Sequence, residues 1–184
     1  MRGDPALGAG FRLAHGHRIP DARGSHGMRH WLMKSEPDEV SIDDLARAPN
    51  KTIAWFGVRN YQARNYMRDD MRVGDLAFFY HSSCPEPGIA GIVEVTKAAY
   101  PDASQFDRKS PYYDAKSTKD APRWCNVEVT LREKTPLIAL ATLRDDPALD
   151  GMLLLKRGNR LSITPVEPAH WRHITRLAAR TARA

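Results

Sequence analysis

Three short segments of the sequence combine aromatic rings with side chains that hydrogen-bond or carry charge. They are residues 31–37, 55–65 and 74–82. Aromatic rings can stack on flat partners, while amide, hydroxyl, carboxylate and guanidinium groups can hydrogen-bond polar edges or hold ions. Such residue types serve binding as well as catalysis, so the presence or absence of catalytic motifs decides which is favoured.

The motifs of several common enzyme classes are missing. The sequence has no glycine-rich phosphate loop, no H-E-x-x-H and no G-x-S-x-G. Its paired aspartates at 43–44, 69–70 and 145–146 are typical of solvated surface runs. His81 and Ser82 are adjacent in a predicted strand and therefore point to opposite faces, which excludes a catalytic dyad. The sequence favours a binding protein over an enzyme.

Cysteine usage predicts neither a metal site nor a disulfide. Cys84 and Cys125 are the only cysteines, and they stand far apart with no cysteine close to either. Metal sites built from cysteine need closely spaced pairs. We therefore expect two unpaired thiols, no metal and no cofactor.

The net charge of +6 belongs to the two ends of the chain. Residues 1–28 hold four arginines against two aspartates, and residues 172–184 hold four arginines and no acid. The neutral segment between them does not suit a protein that grips a long stretch of phosphate backbone. If the chain binds nucleic acid, a local pocket must do much of the work, and the C-terminal arginines add a weak, salt-sensitive attraction.

Length and composition predict one domain. The 184 residues are 42% hydrophobic and 27% charged, as in an ordinary globular domain. No apolar run approaches the roughly 18 residues of a membrane-spanning helix. We expect a disordered leader over 1–28, the domain over 29–177 and a basic tail over 178–184. A cytoplasmic location is the default, with a nuclear or nucleoid-associated one as the alternative.

Short strands and short helices alternate within the predicted domain. Neighbouring strands favour antiparallel pairing, so the pattern predicts a mixed α/β fold with a small barrel or curled sheet. Gly91 predicts a bulge or a close backbone approach, and Trp55 falls in a segment with no strand period. The predicted strands are 30–33, 76–81, 89–95, 124–133, 153–155 and 161–163. One predicted helix begins near Ser41, and the other three cover 60–71, 136–143 and 168–174.

The three segments together closely resemble the EVE family of the PUA-like superfamily. The resemblance continues through 100–102, Trp124 and 160–166 and covers residues 30–174 in order. Phe56 departs from it, because the family often has aspartate there. The resemblance implies a PUA-like small β-barrel or curled, mainly antiparallel sheet with short flanking helices, similar in fold to YTH domains. It further implies a cavity for a modified base of DNA or RNA, with methylated or hydroxymethylated cytosine in DNA favoured.

A pocket that reads a base needs a flat wall for stacking, polar groups for the base edge and a cation near the phosphate. Trp55 can supply the wall, although it can equally anchor the core. Lys34 can meet a phosphate and Ser35 the base edge. Glu36 can accept a hydrogen bond from an exocyclic amine, cap a helix or pair with Arg59.

Further candidates follow from helix and strand positions. Asn60 offers both a donor and an acceptor, which suits a base edge, and it shares a helix face with Arg64. Arg59 and Arg64 can hold phosphate or form internal salt bridges with Glu36 or Asp75. The candidate base- and nucleic-acid-binding residues are Lys34, Ser35, Glu36, Trp55, Val58, Arg59, Asn60, Arg64, Tyr80, His81, Ser82, Arg160 and Ser162.

Two alternatives stand beside a reader of modified bases. One is a small hydrolase or nuclease on the same fold, with Lys34, Glu36 and Tyr80 around a bound nucleotide. The other is a protein-interaction module with a vestigial cavity. In all three cases we expect no membrane partner and favour a monomer.

Overall fold

A computed structural model describes residues 27–183 of the chain, and its centre is one six-stranded sheet. The spatial order of the strands is β2-β5-β4-β3-β1-β6, and every neighbouring pair is antiparallel except β1 with β3. This confirms the mixed α/β fold with a mostly antiparallel sheet. The predicted leader falls largely outside the described residues. The strands are β1 His30–Ser35, β2 Thr52–Trp55, β3 Leu76–His81, β4 Gly88–Pro101, β5 Cys125–Ala139 and β6 Ile163–Pro165.

Side-chain caps fix where the first two helices begin. The Ser41 side chain accepts from the Asp44 amide, and the Asp44 carboxylate accepts from the Ser41 amide, as the S-x-x-D pattern predicts. The Asn60 side chain caps the second helix. That helix passes into a single π-helical turn, Tyr66–Asp70. The helices are α1 Ile42–Arg47, α2 Tyr61–Asn65, α3 Leu140–Asp145 and α4 Pro168–Thr181.

Successive side chains of the central strands point to opposite faces of the sheet, so a hydrophobic core forms on each face. Trp31 and Met33 of β1 point to the face covered by α1 and α2, while Leu32 points to the face covered by α4. On the α4 side, the Trp171 ring stacks on Phe78 with centroids 4.1 Å apart. Burying each such side chain contributes about 1.5–3 kcal/mol. Two filled cores therefore hold the sheet rigid at the point where the strands end.

The two long strands curl the sheet. The β4–β5 register shifts at several points, and a Cβ added to Gly91 would stand 2.6 Å from the Glu133 carbonyl oxygen. A side chain cannot fit at that distance, so the close approach predicted at Gly91 is confirmed. Bulges bend strands and increase their twist. The curl leaves an opening at one end of the sheet, beside the end of β2.

Several boundaries differ from the sequence prediction. β2 was missed, β5 continues to Ala139 where a helix was predicted, and Leu153–Leu155 forms a 3-10 turn rather than a strand. The last strand is shifted to Ile163–Pro165. Helix α4 runs on to Thr181, past the point at which a basic tail was expected, because Ala178 adds a buried contact one turn after Ile174.

Two expectations concern the cysteines and membrane-spanning helices. Neither cysteine forms a disulfide, and Cys125 is buried while Cys84 is half-buried. Within residues 27–183, none of the helices is both long and apolar enough to cross a bilayer.

Candidate functional site

A half-open cavity of about 430 Å³ lies where β1 and β3 end, next to the end of β2. Its volume falls in the range of small-molecule sites. Ten of the thirteen candidate residues line it, and they come from four stretches of the chain. The lining residues are Lys34, Ser35, Glu36, Glu39, Val40, Ile53, Ala54, Trp55, Phe56, Gly57, Val58, Arg59, Asn60, Ser82, Ser83, Tyr112, Arg160 and Ser162.

Three of the thirteen candidates, Arg64, Tyr80 and His81, do not line this cavity. Strand alternation turns Tyr80 to the α4 side, where it is 3% exposed. His81 lies behind the cavity and its Nε2 accepts a hydrogen bond of 3.0 Å from the Ile42 amide, at the start of α1. Arg64 donates to the Arg123 carbonyl and to its neighbour Asn65, and its guanidinium lies over the Tyr61 ring, 4.8 Å from the centroid.

Trp55 forms part of the cavity wall although it is only 6% exposed. It is the last residue of β2, paired with Val127, so the prediction of an irregular segment was wrong. Its ring meets Phe79 edge-on, with centroids 5.4 Å apart. Trp55 is thus a core anchor that shows one part of its surface to the cavity.

Phe56 presents more aromatic surface than Trp55. Its side chain is 42% exposed, and its ring meets Tyr112 edge-on at 5.9 Å. The next residue, Gly57, has φ of +80°, and a Cβ there would stand 2.7 Å from the Tyr112 ring. Glycine is required at this position because both the backbone conformation and the close ring exclude a side chain. The packing fixes the backbone that carries Phe56.

Cationic groups without acidic partners stand on the β1 and β6 side of the cavity. The Lys34 amide donates to the Ser162 carbonyl at 2.8 Å, which joins the end of β1 to the loop before β6. Burial lowers the pKa of the Lys34 ammonium. Neither Lys34 nor Arg160 forms an ion pair with any residue in the range 27–183. Both can therefore meet an anionic group of a ligand.

The cavity also contains carboxylates. Glu36 accepts from the Ser83 hydroxyl at 2.9 Å, and Glu39 accepts from the Tyr112 hydroxyl. Burial, together with the neighbouring Glu39 and Glu36 charges, raises the pKa of Tyr112 to about 12. Tyr112 is therefore a neutral phenol at neutral pH, and the carboxylates keep free lone pairs that can accept from a ligand amine.

Serine hydroxyls hold the two strand ends together. The Ser82 amide and hydroxyl both donate to the Ser35 carbonyl, at 2.8 and 3.3 Å. The Ser35 hydroxyl donates to the Val40 carbonyl at 2.7 Å. Each hydroxyl has its hydrogen engaged inside the protein and can offer a ligand only its lone pairs.

Arg59 has a structural role in the wall. Its guanidinium donates to the carbonyls of Val58 and Tyr112, to the Asp102 carboxylate at 2.9 Å and to the Ser104 hydroxyl at 3.0 Å. These contacts use its donor groups and tie segment 102–124 to the start of α2. The predicted alternative of an internal salt bridge is what the structure has, with Asp102 as the partner in place of Glu36 or Asp75.

Asp102 is the buried acid of this network, at 1% exposure. Burial acts to raise the pKa of its carboxyl. Hydrogen bonds from the Ser104 hydroxyl, Arg59 and the backbone amides of Gly57 and Ser104 outweigh that effect, and the pKa is lowered. Asp102 therefore stays ionised and paired with Arg59.

Asn60 has half of its hydrogen-bonding capacity left for a ligand. Its Oδ1 accepts from the amides of Gln62 and Ala63, at 2.9 and 3.1 Å, and so caps α2. Only the side-chain NH₂ group can face a base edge, as a donor.

Sequence reasoning missed eight lining residues. Four of them, Ala54, Phe56, Gly57 and Ser83, adjoin candidates that it did select. Tyr112 lies in the long β4–β5 connection, where no local pattern marks it. The part of the chain that the structure describes has no cluster of three potential metal ligands.

Comparison with known proteins gives a consistent result. A sequence model of the EVE domain matches residues 29–177. Thymocyte nuclear protein 1 of Gallus gallus is 47% identical over 155 residues, covering 74% of this chain and 63% of that protein. The Homo sapiens protein of the same name is 45% identical over 155 residues, covering 74% and 68%. The chain thus spans just under two thirds of the chicken relative's length.

Solved structures show the same similarity. The crystal structure of human THYN1 in complex with DNA containing 5-methylcytosine has a TM-score of 0.76 and 42% identity, covering 82% of this chain and 97% of that one. A hypothetical protein from Leishmania major has a TM-score of 0.81 and 41% identity, covering 86% and 99%.

Proposed function

The chain belongs to the EVE domain family, and we propose that it binds one modified nucleobase of a nucleic acid in this cavity without catalysing a reaction. The observation that carries the proposal is the half-open cavity beside Trp55, whose lining combines an aromatic surface, cations without an ion pair in residues 27–183, and carboxylate acceptors. The human relative solved with DNA containing 5-methylcytosine supports this ligand class and favours DNA over RNA.

Each wall group suits one part of a nucleotide that has been turned out of its helix. Phe56 and the exposed part of Trp55 can contact the base plane, and stacking of this kind contributes about 1–3 kcal/mol per base. Lys34 and Arg160 can meet the phosphate. A carboxylate such as Glu36 accepts from an exocyclic amine, which cytosine has and thymine lacks.

The placement of Tyr80 weighs against the hydrolase alternative. That reading needs Lys34, Glu36 and Tyr80 around one nucleotide, and Tyr80 lies in the α4 core instead. The vestigial cavity of the interaction-module alternative fits poorly with an opening of about 430 Å³ that the protein's own side chains leave unfilled.

The direct test compares binding of two DNA duplexes that differ only in 5-methylcytosine against cytosine. We expect the wild type to prefer the methylated duplex. Lys34→Met should weaken binding by about 1.5–3 kcal/mol, since it removes a charged contact. Lys97→Met is the matched control, because Lys97 lies on the part of β4 far from the cavity and already pairs with Glu128 of β5.

Two results would contradict the proposal. Equal affinity for both duplexes would remove the modified base from it. Turnover of either duplex, abolished by Glu36→Gln, would replace it with the hydrolase alternative.

A further inference from the structure

Helix α4 carries a row of arginines on its outer side. Arg172, Arg176 and Arg180 follow one another at intervals of four, so their side chains are neighbours along one face. Trp171 and Ile174 are buried on the face that packs against the sheet. The three arginines are exposed to solvent.

Within the described residues, these three arginines have no acidic partners. No acidic residue occurs between Pro168 and Ala184. None of the three arginines forms an ion pair with any residue of the range 27–183. One carboxylate, Asp146, lines the same surface depression as Arg176 and Arg180, but it is paired with His173 at 2.6 Å.

Exposed arginines without an ion pair also occur singly within residues 27–183, among them Arg108, Arg144, Arg157 and Arg160. What distinguishes α4 is three such arginines at successive intervals of four on one helix. Several other exposed arginines are paired. Arg47 pairs with Asp44, Arg68 with Asp69 and Arg132 with Glu94. Like charges four residues apart on a helix repel, so the row destabilises α4 unless an anion outside the protein lies against it.

The row is rigid and its length suits a nucleic-acid strand. Trp171 is stacked between Phe78 and His30, with centroids 4.1 and 4.4 Å away, which fixes α4 on the sheet. Arg172 and Arg180 are separated by about 12 Å along the helix axis. Phosphates of one strand of a duplex recur about every 3.4 Å along its axis, so a row of this length spans about three to four phosphate steps, which is enough for each arginine to meet one phosphate.

We propose that Arg172, Arg176 and Arg180 form a contact surface for the phosphodiester backbone of DNA, separate from the cavity. The cavity borders the core of Trp55 and Phe79, whereas α4 covers the other face of the sheet. The inference rests on the proposed function, and it divides the binding in two. The cavity reads the base, and α4 supplies affinity that is independent of sequence.

The test measures binding of a labelled duplex without modified bases by fluorescence anisotropy, over a series of sodium chloride concentrations. One variant replaces Arg172, Arg176 and Arg180 with glutamine. The control variant replaces Arg47, Arg68 and Arg132 with glutamine. Both lose three positive charges and keep their buried residues, so a difference between them reports on position rather than on net charge. Circular dichroism and thermal unfolding verify that both fold.

We expect the α4 variant to reduce the slope of log K against log[salt] by about 0.9 for each lost phosphate contact, up to about 2.7. The control should keep the wild-type slope. The α4 variant should also keep the wild-type preference for 5-methylcytosine, while Phe56→Ala, which removes the stacking surface of the cavity, should reduce the preference and keep the slope. Failure of the proposed function and failure of this inference therefore give different results.

Three outcomes would overturn the inference. The first is an unchanged slope in the α4 variant, and the second is an equal reduction in both variants. The third is a wild type that does not bind the unmodified duplex but binds anionic phosphatidylserine vesicles through the same arginines.

Discussion

Replacement of Arg59 by methionine should destabilise the protein far more than an exposed arginine replacement does. The substitution removes the contacts to Asp102, Ser104 and the Tyr112 carbonyl but keeps a chain of similar length. Breaking a buried ion pair from one side costs about 3–5 kcal/mol. Asp102 keeps its hydrogen bonds from Ser104 and Gly57, so we expect a loss near the lower end, about 3 kcal/mol.

Urea unfolding provides the measurement. Arg132→Met is the matched control, because Arg132 forms an exposed pair with Glu94 and its loss should cost less than about 1 kcal/mol. Adding Asp102→Asn to Arg59→Met should recover part of the loss, since the buried charge is then gone. The non-additivity of the two substitutions reports their coupling directly.

Arg59→Met should also change how the free energy of unfolding depends on pH in the acid range. The pKa of Asp102 is lowered in the folded protein, so its contribution is present at neutral pH and is lost as the pH falls below the ordinary value of 3.8. Arg59→Met should shrink this contribution.

The opposite pattern would refute the reasoning. If Arg59→Met unfolds at the wild-type urea concentration yet fails to bind methylated DNA, Arg59 contacts the ligand and does not serve to hold segment 102–124.

Three further predictions concern the cavity and its supports. Gly57→Ala should lower the free energy of unfolding by more than the roughly 1–2 kcal/mol that a left-handed backbone costs, because the added Cβ would clash with the Tyr112 ring. The control in urea unfolding is Gly158→Ala, since Gly158 has the same φ and nothing lies within 4 Å of its added Cβ. Equal losses in the two variants would disprove the clash. Phe56→Ala should weaken DNA binding by about 1–3 kcal/mol without changing Tm, whereas Tyr113→Ala, exposed outside the cavity, should bind as the wild type does in the same anisotropy assay. Burial lowers the pKa of His81, and its Nε2 must stay unprotonated to accept from Ile42, so the unfolded chain binds the proton more readily and stability should fall as the pH drops below 6.5. In urea unfolding at a series of pH values, His81→Gln should make stability depend less on pH, and His30, whose pKa burial also lowers, should supply the remaining dependence. An unchanged pH dependence in the variant would exclude His81 as its source.

Local signals predicted much of the fold. The short strand β1, the aromatic-rich strand β3, the Ser41–Asp44 capping box and the Asn60 cap each depend on neighbours in sequence, and each is present. β2 was missed because four residues show too little of a strand period. The chain from 136 to 139 was predicted helical but pairs with β4 as strand, because that pairing depends on a partner far away in sequence.

The candidate site likewise contains residues that the sequence predicted and residues whose role depends on partners far away in the chain. Lys34, Glu36 and Trp55 were selected on their residue types and motifs, and they line the cavity. The structural role of Arg59 was left undecided because its acidic partner, Asp102, lies 43 residues further along the chain. Tyr112 was missed because it reaches the cavity only through the folding back of the long β4–β5 connection.

The position of β1 between β3 and β6 has a consequence for synthesis on the ribosome. β1 is made before β3 and can pair with it once β3 has emerged, but its other edge has no partner until Ile163–Pro165 has left the exit tunnel. An unpaired edge is a template for association with other chains. The nascent polypeptide must therefore carry an open sheet edge while the segment between Ser35 and Ile163 is synthesised.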